Sequence, residues 1–435
     1  MAPWKRTLYT AWFTQLITMS GFGMVLQFLP LRIQQLNGLG VGPAAKWAGW
    51  ASFAAGMAMT VFSPIWGNLA DRFGRKLMVL RATFGGAVVM TLMGFAWNAE
   101  GIIFCRFIQG IFTGSITANV TLVSSVTPNR YSGYAMGMMY GAVQSGILIG
   151  PFLGGLLIDR FSFTTSCVVA GIMMACSGGM VLLWAEERFT PEPPEERETI
   201  FRGYQRLLSV RGLAILMLVP FLVSFGRSMA MPVFQFLIAE MSELAQDSGG
   251  LSGFIYDAAV GAVRRSPDQV VGPRGVVNML TGVMMSSAGL ATALGAVAFG
   301  RLGDRLGHRK ILVFCGLAGG VIMLLHTFAG SLGTLLELRI GMGLASAGLI
   351  PSANALIRRA VGKTQVGKAY GLSGSMNSMG FGFGPLIGGY IAEMSGIRTP
   401  LLSSGLAMIT IAFFIAVLIR RPHMLYENTD DEDEA

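Results

Sequence analysis

Gly67-Asn-Leu-Ala-Asp71-Arg72-Phe-Gly74-Arg75-Lys76 returns 233 residues later, counted from Asp to Asp, as Gly300-Arg-Leu-Gly-Asp304-Arg-Leu-Gly307-His-Arg309-Lys310. Other features keep the same register. Arg106 maps on Arg339 and Gly110 on Gly343, while Gly150-Pro151-Phe-Leu-Gly154-Gly155 returns 234 residues on as Gly384-Pro385-Leu-Ile-Gly388-Gly389. Matches holding one offset over so long a stretch make chance a poor explanation, so the chain reads as two halves in parallel repeat. The offset breaks near the start. Phe28-Leu-Pro30 resembles the stretch around Pro232 at an offset near 202, which places roughly thirty extra residues in 241–274.

What lies between the repeated motifs is apolar. Of 435 residues 53% are hydrophobic and 13% charged, against about 25% charged in a soluble globular protein. With a mean hydropathy of +0.59, the chain has too little charge to wet its own surface, which excludes a soluble multidomain enzyme. Nearly uncharged stretches occur at 8–31, 46–69, 77–97, 101–126, 133–158, 163–185, 212–240, 275–300, 310–330, 334–358, 367–392 and 399–419. About 20 residues of helix cross a hydrocarbon core about 30 Å thick. Backbone polar groups in lipid must bond internally, and these runs lack the alternation of barrel strands. The expected fold is all-α, with twelve transmembrane helices in two pseudo-symmetric six-helix bundles.

Basic residues set the expected orientation. Twenty-one of the 32 Lys and Arg fall in segments on the side of the termini, seven on the opposite side, and Arg81, Arg106, Arg227 and Arg339 inside spans. The excess places both termini in the cytoplasm. The net charge of +9 is accounted for by this bias and by affinity for anionic membrane lipids, and does not point to nucleic acid. Lys5 and Arg6 precede a run too long for a cleaved leader, so the first helix is its own insertion signal. Cys105, Cys167, Cys176 and Cys315 lie in apolar spans at scattered spacings, and His308, His326 and His423 are dispersed, so no metal or other cofactor is expected.

The expected organisation is an N-terminal bundle over 1–185, a cytoplasmic linker over 186–211 and a C-terminal bundle over 212–420 carrying the extracytoplasmic insertion 241–274. An acidic tail over 421–435 follows, ending in Asp430-Asp-Glu-Asp-Glu434. The linker is polar and proline-rich, with an amphipathic continuation through Ile200, Phe201, Tyr204, Leu207 and Leu208. Within the insertion, Leu251 to Arg265 has the apolar content of one short surface helix. The insertion reads either as a solvated loop or as a lid over the outer mouth.

The loop pattern, its echo and the Gly-Pro-x-x-Gly-Gly element resemble the major facilitator superfamily, and more narrowly its twelve-helix drug:proton antiporters of the bacterial multidrug efflux type. The resemblance covers nearly the whole chain outside the insertion, linker and tail. It implies a bacterial inner-membrane exporter of small organic molecules, coupled to protons and working as a monomer. It also implies a conformational latch from Gly67, Asp71, Arg72, Gly74, Arg75 and Lys76, with Asp304 and Arg309 as a weaker second copy. Gly67 and Gly74 would allow a sharp reversal between helix ends. Asp71 would pair with Arg75 or Arg130 and sit against a helix N-terminus of the other half when the cytoplasmic side is closed. Gly141, Gly150, Pro151, Gly154 and Gly155, matched by Gly384, Pro385, Gly388 and Gly389, would form the antiporter motif, a close and flexible contact that seals the path.

Ionisable residues at membrane depth are expensive and by default functional. Arg106 opens Arg-Phe-Ile-Gln109-Gly110, which resembles the antiporters' motif near the proton and substrate path, and Arg227 lies near the middle of its span. Arg339 is the repeat mate of Arg106, and Arg81 is close enough to Lys76 to reach the cytoplasmic headgroups. No acid falls mid-span, and Gln15 and Gln27 stand in the first span where related exporters carry a carboxylate. Arginine without acid argues against small multivalent cations as cargo and favours neutral, zwitterionic or anionic amphiphiles. Phe22, Gln27, Asn119, Gln144, Phe225, Gln235 and Asn377 are the expected cavity wall. Two other readings remain at this stage: an importer or exporter of a specific metabolite such as a sugar, peptide or siderophore, and a non-transporting sensor on the same scaffold. No nucleophile, base and metal-ligand set has the spacing of an enzyme site.

Overall fold

The computed structural model describes residues 3–112, 114–187, 211–246, 248–266, 269–361 and 366–418, without the side chains of residues 3, 71, 129, 211, 212, 366–368 and 418. Most of the predicted linker, its amphipathic continuation and the acidic tail lie outside the described residues, as does the side chain of Asp71.

The first half comprises α1 (Pro3–Leu26), α2 (Leu29–Asn37), α3 (Val41–Phe73), α4 (Arg75–Met93), α5 (Ala99–Ile111), α6 (Ser115–Val126), α7 (Ser132–Arg160) and α8 (Phe163–Trp184). The second comprises α9 (Arg211–Ser228), α10 (Phe234–Ala245), α11 (Gly250–Val263), α12 (Val277–Leu306), α13 (His308–His326), α14 (Leu332–Ser346), α15 (Leu349–Ala360), α16 (Val366–Ser395) and α17 (Thr399–Leu418). Among the described residues, nine helical segments are long and apolar enough to cross a membrane. The predicted spans outside that group are α3, α16 and the pair α9–α10. The first two are rich in Gly, Ala and Ser and face the opposite half, so contact between backbones replaces bulk apolarity.

Four spans are broken, at equivalent places in the two halves: α1–α2, α5–α6, α9–α10 and α14–α15. Pro30, early in α2, and Pro232, before α10, lack the N–H that would continue the preceding helix. Gly114 divides α5 from α6 at φ 102°, a backbone region that L side chains rarely adopt. The apolar windows of the sequence ran straight through these breaks, because a break inside a bundle leaves hydropathy unchanged.

Within the first half α1 packs on α7 and α8, α3 on α5, and α4 on α8; within the second, α9 packs on α16, α13 on α17 and α12 on α14. The halves meet along two seams, α3 with α16 and α7 with α12. The apolar run of the insertion folds as α11 and buries Ile255, Tyr256, Ala259 and Val263 in the core of the second half. Ser252 Oγ accepts the Gly333 N–H at 3.0 Å, so α11 is anchored on the start of α14.

Candidate functional site

Call proximal the side where α1 starts and α17 ends, and distal the other. At the distal side both seams are closed by the Gly-Pro-x-x-Gly-Gly elements, and in the same way. A Cβ on Gly389 would lie 2.6 Å from Ala45 O, and one on Gly155 would collide with Asn278 O. A Cβ on Gly49 would lie 2.5 Å from Pro385 O, and its repeat mate Gly282 meets Pro151 O. Gly150 and Gly154 face Ser20 and Met24 of α1, as Gly384 and Gly388 face α9 and the turn after it, through Phe225, Ser228 and Met229. Each motif therefore ties one helix to its own half by two glycines and to the opposite half by a third.

Polar contacts reinforce the distal closure. Asp159 accepts from Asn278 Nδ2 and from the Met279 N–H at the start of α12, Gln235 Nε2 donates to Asn278 Oδ1 at 2.8 Å, and Gln235 Oε1 accepts the Leu31 N–H at 3.0 Å. Lys46 of α3 pairs with Glu393 of α16 at 2.9 Å. At the proximal side the faces stand apart. Gly133, Gly137 and Gly141 continue the stripe by which α7 touches α12, yet a Cβ on any of them would meet nothing within 4 Å; the same holds at Gly67, Gly300 and Gly374.

The predicted latch loops lie on this open side. Gly74 and its mate Gly307 turn the chain in one residue at φ 96° and 95°. Contrary to the expectation from sequence, Gly67 takes no part in the reversal and lies inside α3. The start of α4 is held by a residue that sequence reading missed: Glu187 accepts the N–H of Arg75 at 2.7 Å and of Lys76 at 2.9 Å. Lys76 Nζ reaches the carbonyls of Leu182 and Ala185. Arg72 is exposed. In the second copy Asp304 faces His308 at 3.3 Å and Arg309 donates to Ala416 O. Apart from Glu187, which lies three residues beyond α8, these partners lie in the loop's own half. The Arg81 guanidinium lies over Trp66, 3.6 Å from the ring centroid.

The expected cavity wall divides in two. Phe22, Gln27, Gln144, Phe225 and Asn377 are partly accessible. Asn119 and Gln235 of that wall are buried, which corrects their assignment to an open wall in this conformation, and Arg106 and Gln109 of the path motif are buried too. Arg106 donates to Gln109 Oε1, Gln109 Nε2 points at Met90 Sδ, and Asn119 Nδ2 donates to Gln15 Oε1 at 3.0 Å. Arg227, in the last turn of α9, is exposed. Arg339 is buried, with its guanidinium 3.9 Å above the Phe234 ring.

Comparison with known proteins follows the same lines. Multidrug resistance protein MdtG of Serratia proteamaculans is 28% identical over 99% of this chain and 98% of its own. The multi-drug resistance efflux pump PmrA of Streptococcus pneumoniae is 26% identical over 96% of this chain and 97% of its own. Among solved structures, the nucleoside transporter NupG superposes with a TM-score of 0.72 at 13% identity, covering 95% of this chain and 99% of that one. The human organic anion transporter MFSD10 gives 0.66 at 17%, covering 95% and 100%. At such identities the structures speak for the fold alone. The model of the Major Facilitator Superfamily matches residues 11–267 and 216–434, and with two bundles, two seams and paired loop motifs in place, the chain belongs to that superfamily.

Proposed function

We propose that this chain is a secondary active transporter that exports drug-like or other amphiphilic organic compounds across a bacterial inner membrane by alternating access, with protons entering in exchange. The observation that carries the reading is the divided seam: α7 is in backbone contact with α12 at its distal end and free of it along the same stripe at its proximal end. A stripe of small residues left unpacked at one end suits a second position in which that end closes. The near-full-length relatives named for multidrug resistance support the cargo class.

In this reading the proximal side, with its excess of basic residues, is cytoplasmic, and the conformer is inward-facing. Residues 1–185 and 212–420 are the rocking bundles, 186–211 the linker and 421–435 a cytoplasmic tail. The protein works as a monomer among anionic lipids. Arg227 and the partly accessible Gln27, Gln144, Phe225 and Asn377 lie on the cargo path in this conformer, and Asp71 latches the cytoplasmic side in the other. Protonation falls to a carboxylate near a membrane face, from Asp71, Asp159 and Glu240.

The test is transport by purified protein in proteoliposomes under an imposed pH gradient. Uptake of amphiphiles from a broad panel, with proton movement in the opposite direction, is expected. Flux of one sugar, peptide or siderophore alone would make it a metabolite carrier, and no flux of any kind would leave the sensor reading.

A further inference from the structure

The insertion sets the two seams apart. In the first half α2 and α3 are joined by Gly38, Leu39 and Gly40 alone. At the same place in the second half the chain runs from α10 through α11 to α12, a path roughly thirty residues longer. By its anchorage α11 travels with the second half. Its buried face of Ile255, Tyr256, Ala259 and Val263 is part of that half's core, and Ser252 Oγ ties its first turn to the Gly333 N–H at 3.0 Å.

The same helix reaches across the boundary between the halves. It packs on α7, and two residues past its end the Arg265 guanidinium lies over the ring of Phe161, 5.2 Å from the centroid. Phe161 closes α7, its N–H donating to Leu157 O at 2.9 Å. The backbone that carries Arg265 is held as well: its N–H donates to Gln269 Oε1 at 2.8 Å, and Arg264 Nε donates to Gln269 O at 2.9 Å. Asp159, two residues before Phe161, is clasped by the first turn of α12. One short stretch of α7 is therefore held twice by the second half, once by α12 and once by the insertion. A guanidinium over an aromatic face is attracted by the ring quadrupole, and at an exposed site that attraction is modest. Such a contact suits two parts that must separate and meet again.

We propose that α11 is a strap: carried by the second half, it holds the distal end of α7 through Arg265 and Phe161 and so weights the equilibrium towards the distally closed conformer. Distal opening separates α7 from α12 and must draw Phe161 away from Arg265. The strap acts at one seam only, because Gly38–Gly40 leaves no chain to do the same beside Lys46 and Glu393. The inference rests on the alternating-access reading, and on neither the identity of the cargo nor the exchange of protons.

Labelling reads this balance without any cargo. A single cysteine replacing Leu156, which is partly buried against the core of the second half, reports distal opening through its rate of reaction with an impermeant maleimide applied from the distal side. An exposed cation–ring contact corresponds to about a two- to fivefold change in a population. Arg265→Ala should raise the rate by that factor, Phe161→Ala likewise, and the double variant no more than either single one, because both remove the same contact. Arg265→Lys should keep most of the wild-type behaviour, since an ammonium group is still drawn to the ring, and Arg265→Gln should not. Both side chains are exposed, so the variants should fold, and thermal unfolding checks each of them. Unchanged labelling in folded Arg265→Ala, additive effects in the double variant, or Arg265→Gln behaving as Arg265→Lys overturns the strap. Amphiphile flux in proteoliposomes by a protein whose labelling ignores both substitutions would sink the strap and leave export standing. Labelling that responds to them in a protein that moves no cargo would sink export and leave the strap.

Discussion

Asp159 and Met279 meet across the boundary between the halves: Asp159 Oδ2 accepts the Met279 N–H at 2.7 Å, while its Oδ1 accepts from Asn278 Nδ2 at 2.6 Å. Both donors belong to the first turn of α12, where unpaired N–H groups and the helix dipole favour a carboxylate. Glu393 is the repeat mate of Asp159 and Lys46 that of Met279, at the offsets of 234 and 233 that relate the motifs. The same clasp is thus built twice, once on backbone and amide and once on an ammonium group.

Loss of the Asp159 clasp should favour the distally open conformer. Hydrogen bonds to a charged group are worth about 1.5–3 kcal/mol each, so Asp159→Ala should change the ratio of conformers by roughly tenfold or more. A single cysteine replacing Leu156, which is partly buried against the core of the second half beside the clasp, should react faster with an impermeant maleimide from the distal side in the variant. An unchanged labelling rate would mean that the clasp does not hold the gate.

The glycines of the two ends should fail in opposite ways. At Gly389 a side chain would collide with Ala45 O, so Gly389→Val should block distal closure and expose the distal face. At Gly141 a side chain meets open space here, so Gly141→Val should leave the distal seal intact and obstruct closure of the proximal side. Both should abolish flux in proteoliposomes. Cysteine accessibility from the two sides should separate them, and the same pattern for both variants would contradict the divided seam.

Much of this frame was legible in the sequence, because hydropathy reports spans and a fixed offset reports a repeat. The contacts were less so. Glu187 reaches Arg75 over 112 residues and Asp159 reaches Met279 over 120, and hydropathy carries no signal of such pairs. The repeat did hold a clue, since it relates Asp159 to Glu393 and Met279 to Lys46. Asn119 and Gln235 were misplaced for a different reason. An amide at membrane depth satisfies its hydrogen bonds as readily between helices as with cargo, and sequence does not distinguish the two.

Glu187 should matter for stability more than for gating. It satisfies two N–H groups at the start of α4, a capping role whose loss costs about 0.5–2 kcal/mol. Glu187→Ala should lower the unfolding midpoint, with Glu187→Gln intermediate because an amide oxygen still accepts. The distribution between conformers should stay close to wild type, since both N–H groups that Glu187 accepts belong to the first half. A large shift in cysteine accessibility would instead place Glu187 in the gate.

The two distal clasps should differ in strength and in their response to salt. Lys46 and Glu393 keep 32% and 31% of their side-chain surface exposed, and accessible ion pairs are worth about 0–1 kcal/mol and are screened by added salt. Asp159 has no such loss, because its partners are a backbone N–H and a neighbouring amide held by Gln235. Lys46→Ala should therefore raise distal accessibility less than Asp159→Ala, and its effect should shrink as ionic strength rises while that of Asp159→Ala persists. The two seams lie apart in the structure, so the double variant should show the sum of the single effects unless the halves separate as rigid bodies, in which case it should exceed that sum. Labelling rates for the single and double variants across a salt series decide between these outcomes. A Lys46→Ala effect that equals or exceeds that of Asp159→Ala would reverse the assignment of the stronger clasp.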